Sequence, residues 1–354
     1  WVGSSTYEPS TGWHGSGEYP YKSILGGDGM QVAVDTRDNS TVYTGFQFGN
    51  YYRINRKADK TDRITPQRVL GEPAFRWNWQ TPIHLSKHNQ DILYIGSNKL
   101  HRSFNQGQDW EVISADLTKG GKKGDVPYGT LTAVHESPLK FGLIYTGSDD
   151  GLVHVSKDGG VTWTNISTGL PEDLWMSRIQ ASQHEPGRVY VSLNGYRWDD
   201  FRSFVYVSED YGATWNRLGL DLPFEPVNVV KEDSKNPNLL YVGTDHALYV
   251  SLDRGKSFML MNKELPAAPV HDLVVHPREN ELLVGTHGRS LYLAPVQHLQ
   301  QLVDSVLEKT LFAFEVKKVR FSNNWGGSTY AWAEEIPEPD IELPVFVKAG
   351  GKLK

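Results

Sequence analysis

The chain has 354 residues, 12% of them aromatic, with 34 Gly, 19 Pro and 11 Trp, and carries a formal net charge of −6 with acidic and basic residues interspersed. The absence of a basic tract argues against a nucleic-acid partner. The absence of Cys excludes disulfides, thiolate zinc sites and cysteine nucleophiles, and no apolar run reaches membrane-spanning length.

The sequence begins at Trp1 rather than Met, as expected for a processed or internal piece of a longer chain. Residues 1–25 read as the tail of a preceding blade or a closing segment. From 26 to 294 one pattern recurs six times: a short alternating strand, a polar turn, then a second strand ending near Tyr-x-Gly. The copies run Met30–Gly45, Pro82–Gly96, Leu131–Gly147, Ser177–Ser192, Val227–Gly243 and His271–Gly285. Their shared position falls at Tyr43, Tyr94, Tyr145, Tyr190, Tyr241 and Leu283. A unit of roughly 40 to 50 residues is one four-stranded propeller blade, so the chain reads as all-β, a six- to seven-bladed β-propeller.

A second string sits at a fixed place in most units. It is clearest as Ser156-Lys-Asp158-Gly-Gly160-Val-Thr162-Trp163 and repeats at Ser208–Trp215 around Asp210. At Ser251–Phe258, around Asp253, Phe258 replaces the Trp, and Ser103–Trp110, around Asn105, is degenerate. The chemistry is that of a turn: the carboxylate accepts backbone N–H groups, Gly supplies a positive φ, and Trp110, Trp163, Trp215 or Phe258 packs between sheets. A structural role for these acidic residues outweighs a catalytic one.

After the repeats the period changes. From Pro295, residues Leu299, Leu302, Val303, Val306 and Leu307 recur at helical spacing, predicting an amphipathic helix over 295–310. Phe312–Phe321 and Ile341–Val347 read as extended, so 311–354 reads as the start of a further β module.

Blade geometry sorts the loops. The Ser-x-Asp turns join third to fourth strands, so loops before first strands and between second and third strands share the opposite face. There lie Arg76, Trp77, Asn78 and Trp79, then Tyr128, Trp175 and Arg178, the long turn with Arg197, Trp198 and Asp199, and His246, His287 and Arg289. Rings and guanidinium groups at one end of the axis form a recognition surface, with rings for sugar faces and Arg forks for carboxylates or carbonyls. The twelve His show no metal-ligand spacing, and neither metal nor cofactor is expected.

The S-x-D-x-G-x-T-W string resembles the Asp-box of sialidases and sortilin-like receptors. With Asn194–Asp200 and Gly285–Ser290, it is similar to bacterial sortilin-like or glycosyl-hydrolase-like proteins with bacterial neuraminidase repeats, over most of Gly26–Leu293. The resemblance implies a secreted, periplasmic or cell-surface bacterial protein, within a larger extracellular assembly or beside a further N-terminal part. Xyloglucan-cleaving relatives use two carboxylates on propeller loops, for which Asp28, Asp149, Asp150, Asp199, Asp200 and Asp245 are candidates here. Sialidase activity is disfavoured, because Tyr52-Arg53-Ile54-Asn55 lacks the Pro of the sialidase string. Sortilins carry a Cys-rich module that a Cys-free chain cannot form. The resulting expectation is a non-catalytic propeller binding peptide, protein or glycan, with glycoside hydrolysis as the alternative.

Overall fold

The computed structural model describes residues 24–316, 318 and 341–348. Within them the recurring segments build six antiparallel blades, giving a six-bladed β-propeller. Blade I is β1 (Ala33–Val34), β2 (Thr41–Phe46), β3 (Asn50–Asn55) and β4 (Lys60–Arg63). Blade II is β5 (Ile83–Leu85), β6 (Leu93–Gly96), β7 (Leu100–Ser103) and β8 (Glu111–Val112). Blade III is β9 (Leu131–Glu136), β10 (Ile144–Ser148), β11 (Val153–Ser156) and β12 (Thr164–Asn165). Blade IV is β13 (Trp175–Ala181), β14 (Val189–Gly195), β15 (Asp200–Ser208) and β16 (Asn216–Leu218). Blade V is β17 (Val227–Glu232), β18 (Leu240–Thr244), β19 (Leu248–Ser251) and β20 (Met259–Leu260). Blade VI has three strands among the described residues: β21 (Val270–His276), β22 (Glu281–Thr286) and β23 (Leu291–Pro295).

Blades II to V are each sandwiched between two others, and this sets which residues their strands can carry. A second strand has neighbouring blades on both faces, so β10 and β18 are buried at every position and read as unbroken apolar or small residues. The outermost strands β8, β12 and β20 are exposed and short. The hydrophobic core therefore lies between blades. Tyr145, Val153 and Val155 of blade III meet Met176, Ile179 and Val191 of blade IV in one such layer.

The recurring tyrosines are buried in these layers, and their hydroxyls have different fates. Tyr94 donates to Glu136 of blade III (2.9 Å), and Tyr190 donates to Glu232 of blade V (3.2 Å). Both carboxylates are fully buried. Glu136 also accepts from the Ser86 hydroxyl and from the Gly142 N–H (3.1 Å). Glu232 also accepts from Ser182 (2.8 Å) and from the Gln183 N–H (2.7 Å). The hydroxyls of Tyr43, Tyr145 and Tyr241 have no hydrogen-bond partner among the described residues. Carboxylate clamps thus close the seams between blades II and III and between IV and V, while the tyrosines facing the seams I–II, III–IV and V–VI have none among the described residues.

The Ser-x-Asp/Asn turns share one geometry. In the Ser156 copy, Asp158 accepts from the Thr162 N–H (2.9 Å), the Thr162 hydroxyl (2.6 Å) and the Ser156 hydroxyl (2.8 Å), and Ser156 Oγ accepts the Gly160 N–H (2.8 Å). Asp210 and Asp253 repeat this set with Thr214 and Ser257. Asn105 accepts the Asp109 N–H (2.9 Å). The ring that ends the turn docks on the preceding blade: Trp163 Nε1 donates to the Ile113 carbonyl and Trp215 Nε1 to the Ile166 carbonyl, each at 2.8 Å.

Residues 295–354 form a separate unit. Where the spacing predicts one helix over 295–310, two single turns occur, α1 (Gln297–Gln300) and α2 (Asp304–Leu307). Val303 stands between them in an extended conformation (φ −86°, ψ 165°), which interrupts the helical run. β24 (Leu311–Ala313) pairs antiparallel with β25 (Val345–Val347), overlapping the two segments read as extended. The expectations for residues 1–23 and for the part of Phe312–Phe321 beyond 318 lie outside the described residues.

Candidate binding face

Antiparallel blades place the loops before first strands beside the turns between second and third strands. A Cβ added at Gly151, in the second turn of blade III, would meet the Asp173 and Leu174 backbone of the loop entering blade IV. Most of the aromatic and Arg residues read from the sequence sit on these loops, whereas Trp175 and Arg178 lie in β13, and the structure gives them different work.

Arg76 is engaged internally. Its Nη2 pairs with Asp116 (2.6 Å) and its Nε donates to the Gly129 carbonyl (3.0 Å), tying the loops entering blades II and III together. Asn78 is buried, donates to Thr130 Oγ1 (2.8 Å) and accepts the Gln80 N–H (2.9 Å). Trp77 stacks on His101 (5.5 Å, 23°) and lies over Gly49, so its ring fills the seam between blades I and II. Trp79 is 46% exposed and meets Phe48 edge-on at 5.1 Å. Tyr128 carries the Lys122 ammonium over its ring at 4.6 Å.

The turn after β14 brings the predicted residues together. Tyr196–Trp198 form one 3-10 turn closed by Asp199 in the left-handed region (φ 56°). The Arg197 guanidinium lies 4.2 Å from the Trp175 ring centre and 4.5 Å from that of Tyr196. Stacked in this way, an otherwise mobile side chain is held on a flat aromatic base. Beside it, Tyr196 and Trp198 are each 43% exposed and Phe201, at the start of β15, is 50% exposed. Asn194 anchors the loop by donating to Asn228 (2.9 Å), which donates to Asp245 (2.9 Å) at the neighbouring turn of blade V. His246 is exposed 3.9 Å from Glu225, and His287 and Arg289 are exposed, with the His287 ring 5.4 Å from that of His271.

The carboxylates on this face are mostly committed. Asp149 is buried and accepts the Gly129 and Thr130 N–H groups (both 3.0 Å) and the Thr130 hydroxyl (2.5 Å). Burial pushes its pKa up to about 6 against the pull of those hydrogen bonds. Asp150, also buried, accepts the Lys119 N–H (2.7 Å). Asp200 pairs with Arg202 (2.7 Å), which holds it below the usual carboxylate range. Asp28 contacts Gln47. Asp199 is exposed beside Trp198.

Arg178 points elsewhere. It pairs with Asp272 of β21 (2.8 Å) and lines a cavity of about 110 Å³ on the axis, together with residues of β5, β9, β13, β17 and β21 and with Gln31 just before β1. Among that lining are His84, His135, Gln180 and Lys231, none of which was singled out from the sequence. A signal existed: each lies directly across from a recurring Tyr on the inner strand. Burial lowers the pKa of His84 to about 3 and of Lys231 to about 8, and it lowers that of His135 well below the usual value.

No family model matches the chain. It is similar, at 23% identity over 214 residues, to the oligoxyloglucan-reducing end-specific xyloglucanase of Emericella nidulans, covering 55% of this chain and 24% of that protein. The chain thus spans about a quarter of the length of that relative. The GH74 xyloglucanase from Xanthomonas campestris superposes with a TM-score of 0.56 at 18% identity, over 75% of this chain and 44% of that one. The extracellular domain of a hybrid two component system from B. thetaiotaomicron superposes with a TM-score of 0.53 at 12% identity, over 77% of this chain and 34% of that one. At these identities the likeness establishes the propeller fold and leaves the activity open.

Proposed function

We propose that this propeller is a non-catalytic recognition module of an exported bacterial protein and binds a polysaccharide on the face opposite the Ser-x-Asp turns. The observation that carries this reading is the platform after β14. Arg197 is stacked on Trp175 and Tyr196, and exposed Trp198 and Asp199 follow it in the same short turn. Sugar C–H faces pack on flat rings, and fixed guanidinium and carboxylate groups bond their hydroxyls. Placement among Asp-box, sortilin-like propellers belongs to the same reading, supported by the shared hydrogen-bond set of the four turns. Peptide or protein ligands would use the same rings.

Glycoside hydrolysis is the second reading, favoured by the similarity to a xyloglucanase. Against it, Asp149 and Asp150 are enclosed and their oxygens already accept internal donors.

Xyloglucan and a panel of other plant and bacterial glycans, titrated calorimetrically into the full chain, separate these readings. Binding without release of reducing ends, weakened about tenfold or more by Trp198→Ala, is the expected result. Release of reducing ends would select the hydrolase. Glycan binding that Trp198→Ala and Trp175→Ala leave unchanged would remove the platform from the site.

A further inference from the structure

The axial cavity is lined by hydrogen-bond donors that nothing in the fold uses. Arg178 Nε and His84 Nε2 are buried without a hydrogen-bond partner among the described residues. His135 Nδ1 accepts the Ala181 N–H (3.3 Å), which leaves the proton of a neutral ring on Nε2 as another donor. The rings of His84 and His135 lie 4.8 Å apart, on adjacent inner strands. Lys231 faces the same cavity from β17, and no described carboxylate lies within ion-pair distance of its ammonium. The nearest acidic groups already have partners: Asp272 pairs with Arg178, and Glu232 is held by Ser182, Gln183 and Tyr190. Exposed Lys87 adds to the positive potential at His84, His135 and Lys231.

Lys231 is half-buried and desolvation disfavours its charged form, while the unpaired buried donors of Arg178 and His84 carry a cost of their own. A cavity needs roughly 10–15 Å³ of probe-occupied space to hold one water, and this one, at about 110 Å³, has room for more. We infer that the axial cavity is a binding site for a small oxyanion of phosphate or carboxylate type, held by Lys231 and Arg178 with His84 and His135 as neutral donors. The anion would supply the missing counter-charge and accept the idle N–H groups. It would sit on inner strands of blades II to V, so binding would brace the ring from inside. This inference rests on different side chains from the aromatic platform, which is built by the turn after β14 and Trp175 at the start of β13.

The test is calorimetric titration of the full chain with sodium phosphate and, separately, sodium acetate, at fixed ionic strength in chloride. Saturable binding of either anion at one site per chain is expected, and their relative affinities identify the anion's class. Lys231→Met should weaken binding at least tenfold, with Lys231→Arg retaining most of it. Asp272→Asn, which releases Arg178 from its ion pair, should tighten binding several-fold and serves if Lys231→Met does not fold. Raising the pH from 7 to 9 should weaken acetate binding, because the pKa of Lys231 is lowered to about 8 while acetate keeps its charge over that range. No saturable binding by either anion, or equal affinity in Lys231→Met, would overturn the assignment.

Discussion

Single hydroxyl groups carry different weights at equivalent places. Tyr94 and Tyr145 occupy the same position in successive blades, yet only the first has a partner. Tyr145→Phe removes a buried hydroxyl that bonds nothing, so folding stability should stay within about 0.5 kcal/mol or rise. Tyr94→Phe leaves the fully buried Glu136 short of a donor and should cost about 1–3 kcal/mol. Urea unfolding of the two variants measures the difference; equal costs would refute the assignment of the hydroxyls. The recurring tyrosines were legible because a large buried side chain must return with the blade period. Their partners were not, because Glu136 and Glu232 alternate with Leu85, Ala181 and Val275 and so break the repeat. For the same reason Arg76 and Asn78 could not be told from ligand-facing residues. Their partners Asp116 and Thr130 lie on loops that only the folding of blade II and its packing on blade III bring near.

At the level of the element, the Ser-x-Asp turn joins two strands and also seats one blade on the last. Gly212 shows both duties. It holds φ at +90°, and a Cβ there would come within 2.3 Å of Ile166 in the preceding blade. Gly212→Ala therefore meets left-handed strain and overpacking together and should cost about 2 kcal/mol or more. Gly169→Ala, also at positive φ but in open space, should cost about 1 kcal/mol. Thermal unfolding of the pair separates backbone strain from the inter-blade contact. This element was readable from sequence since its hydrogen bonds close within eight residues of chain. The helical segment after Pro295 read less well: apolar spacing fixes which face is buried but not whether an extended Val303 divides the run.

Across the whole molecule, the buried histidines decide the response to acid. His84 titrates near 3 and His101 near 4, with His135 also well below its ordinary value, each mainly through burial. Below about pH 6.5 the unfolded chain takes up protons that the folded chain refuses. Their contribution is intact above that pH and is lost as pH falls towards 4, at up to about 1.4 kcal/mol per unit for each histidine. Asp149, raised to about 6, acts in the opposite sense between 3.8 and 6 and offsets one of the three. Net destabilisation between pH 6 and 4 is expected, and His84→Gln should flatten that limb in denaturant titrations at stepped pH. An unchanged slope would show that His84 is solvated in solution. The six-fold arrangement itself was legible from the recurrence of one position per blade, whereas the polar lining of the axis became visible only when the inner strands met.

The alternation of clamped and unclamped seams has a mechanical corollary. Blades II and III share a carboxylate lock and a His88–Ser137 bond, and blades IV and V share the matching lock and a His184–Asp233 bond. Two locked couples therefore flank the seam between blades III and IV, where the Tyr145 hydroxyl has no partner among the described residues and no carboxylate joins the bonds from Trp215, Thr132 and Ala181 that cross it. When the ring breathes, amide exchange should start along that seam, so a disc that looks six-fold would loosen two blades at a time.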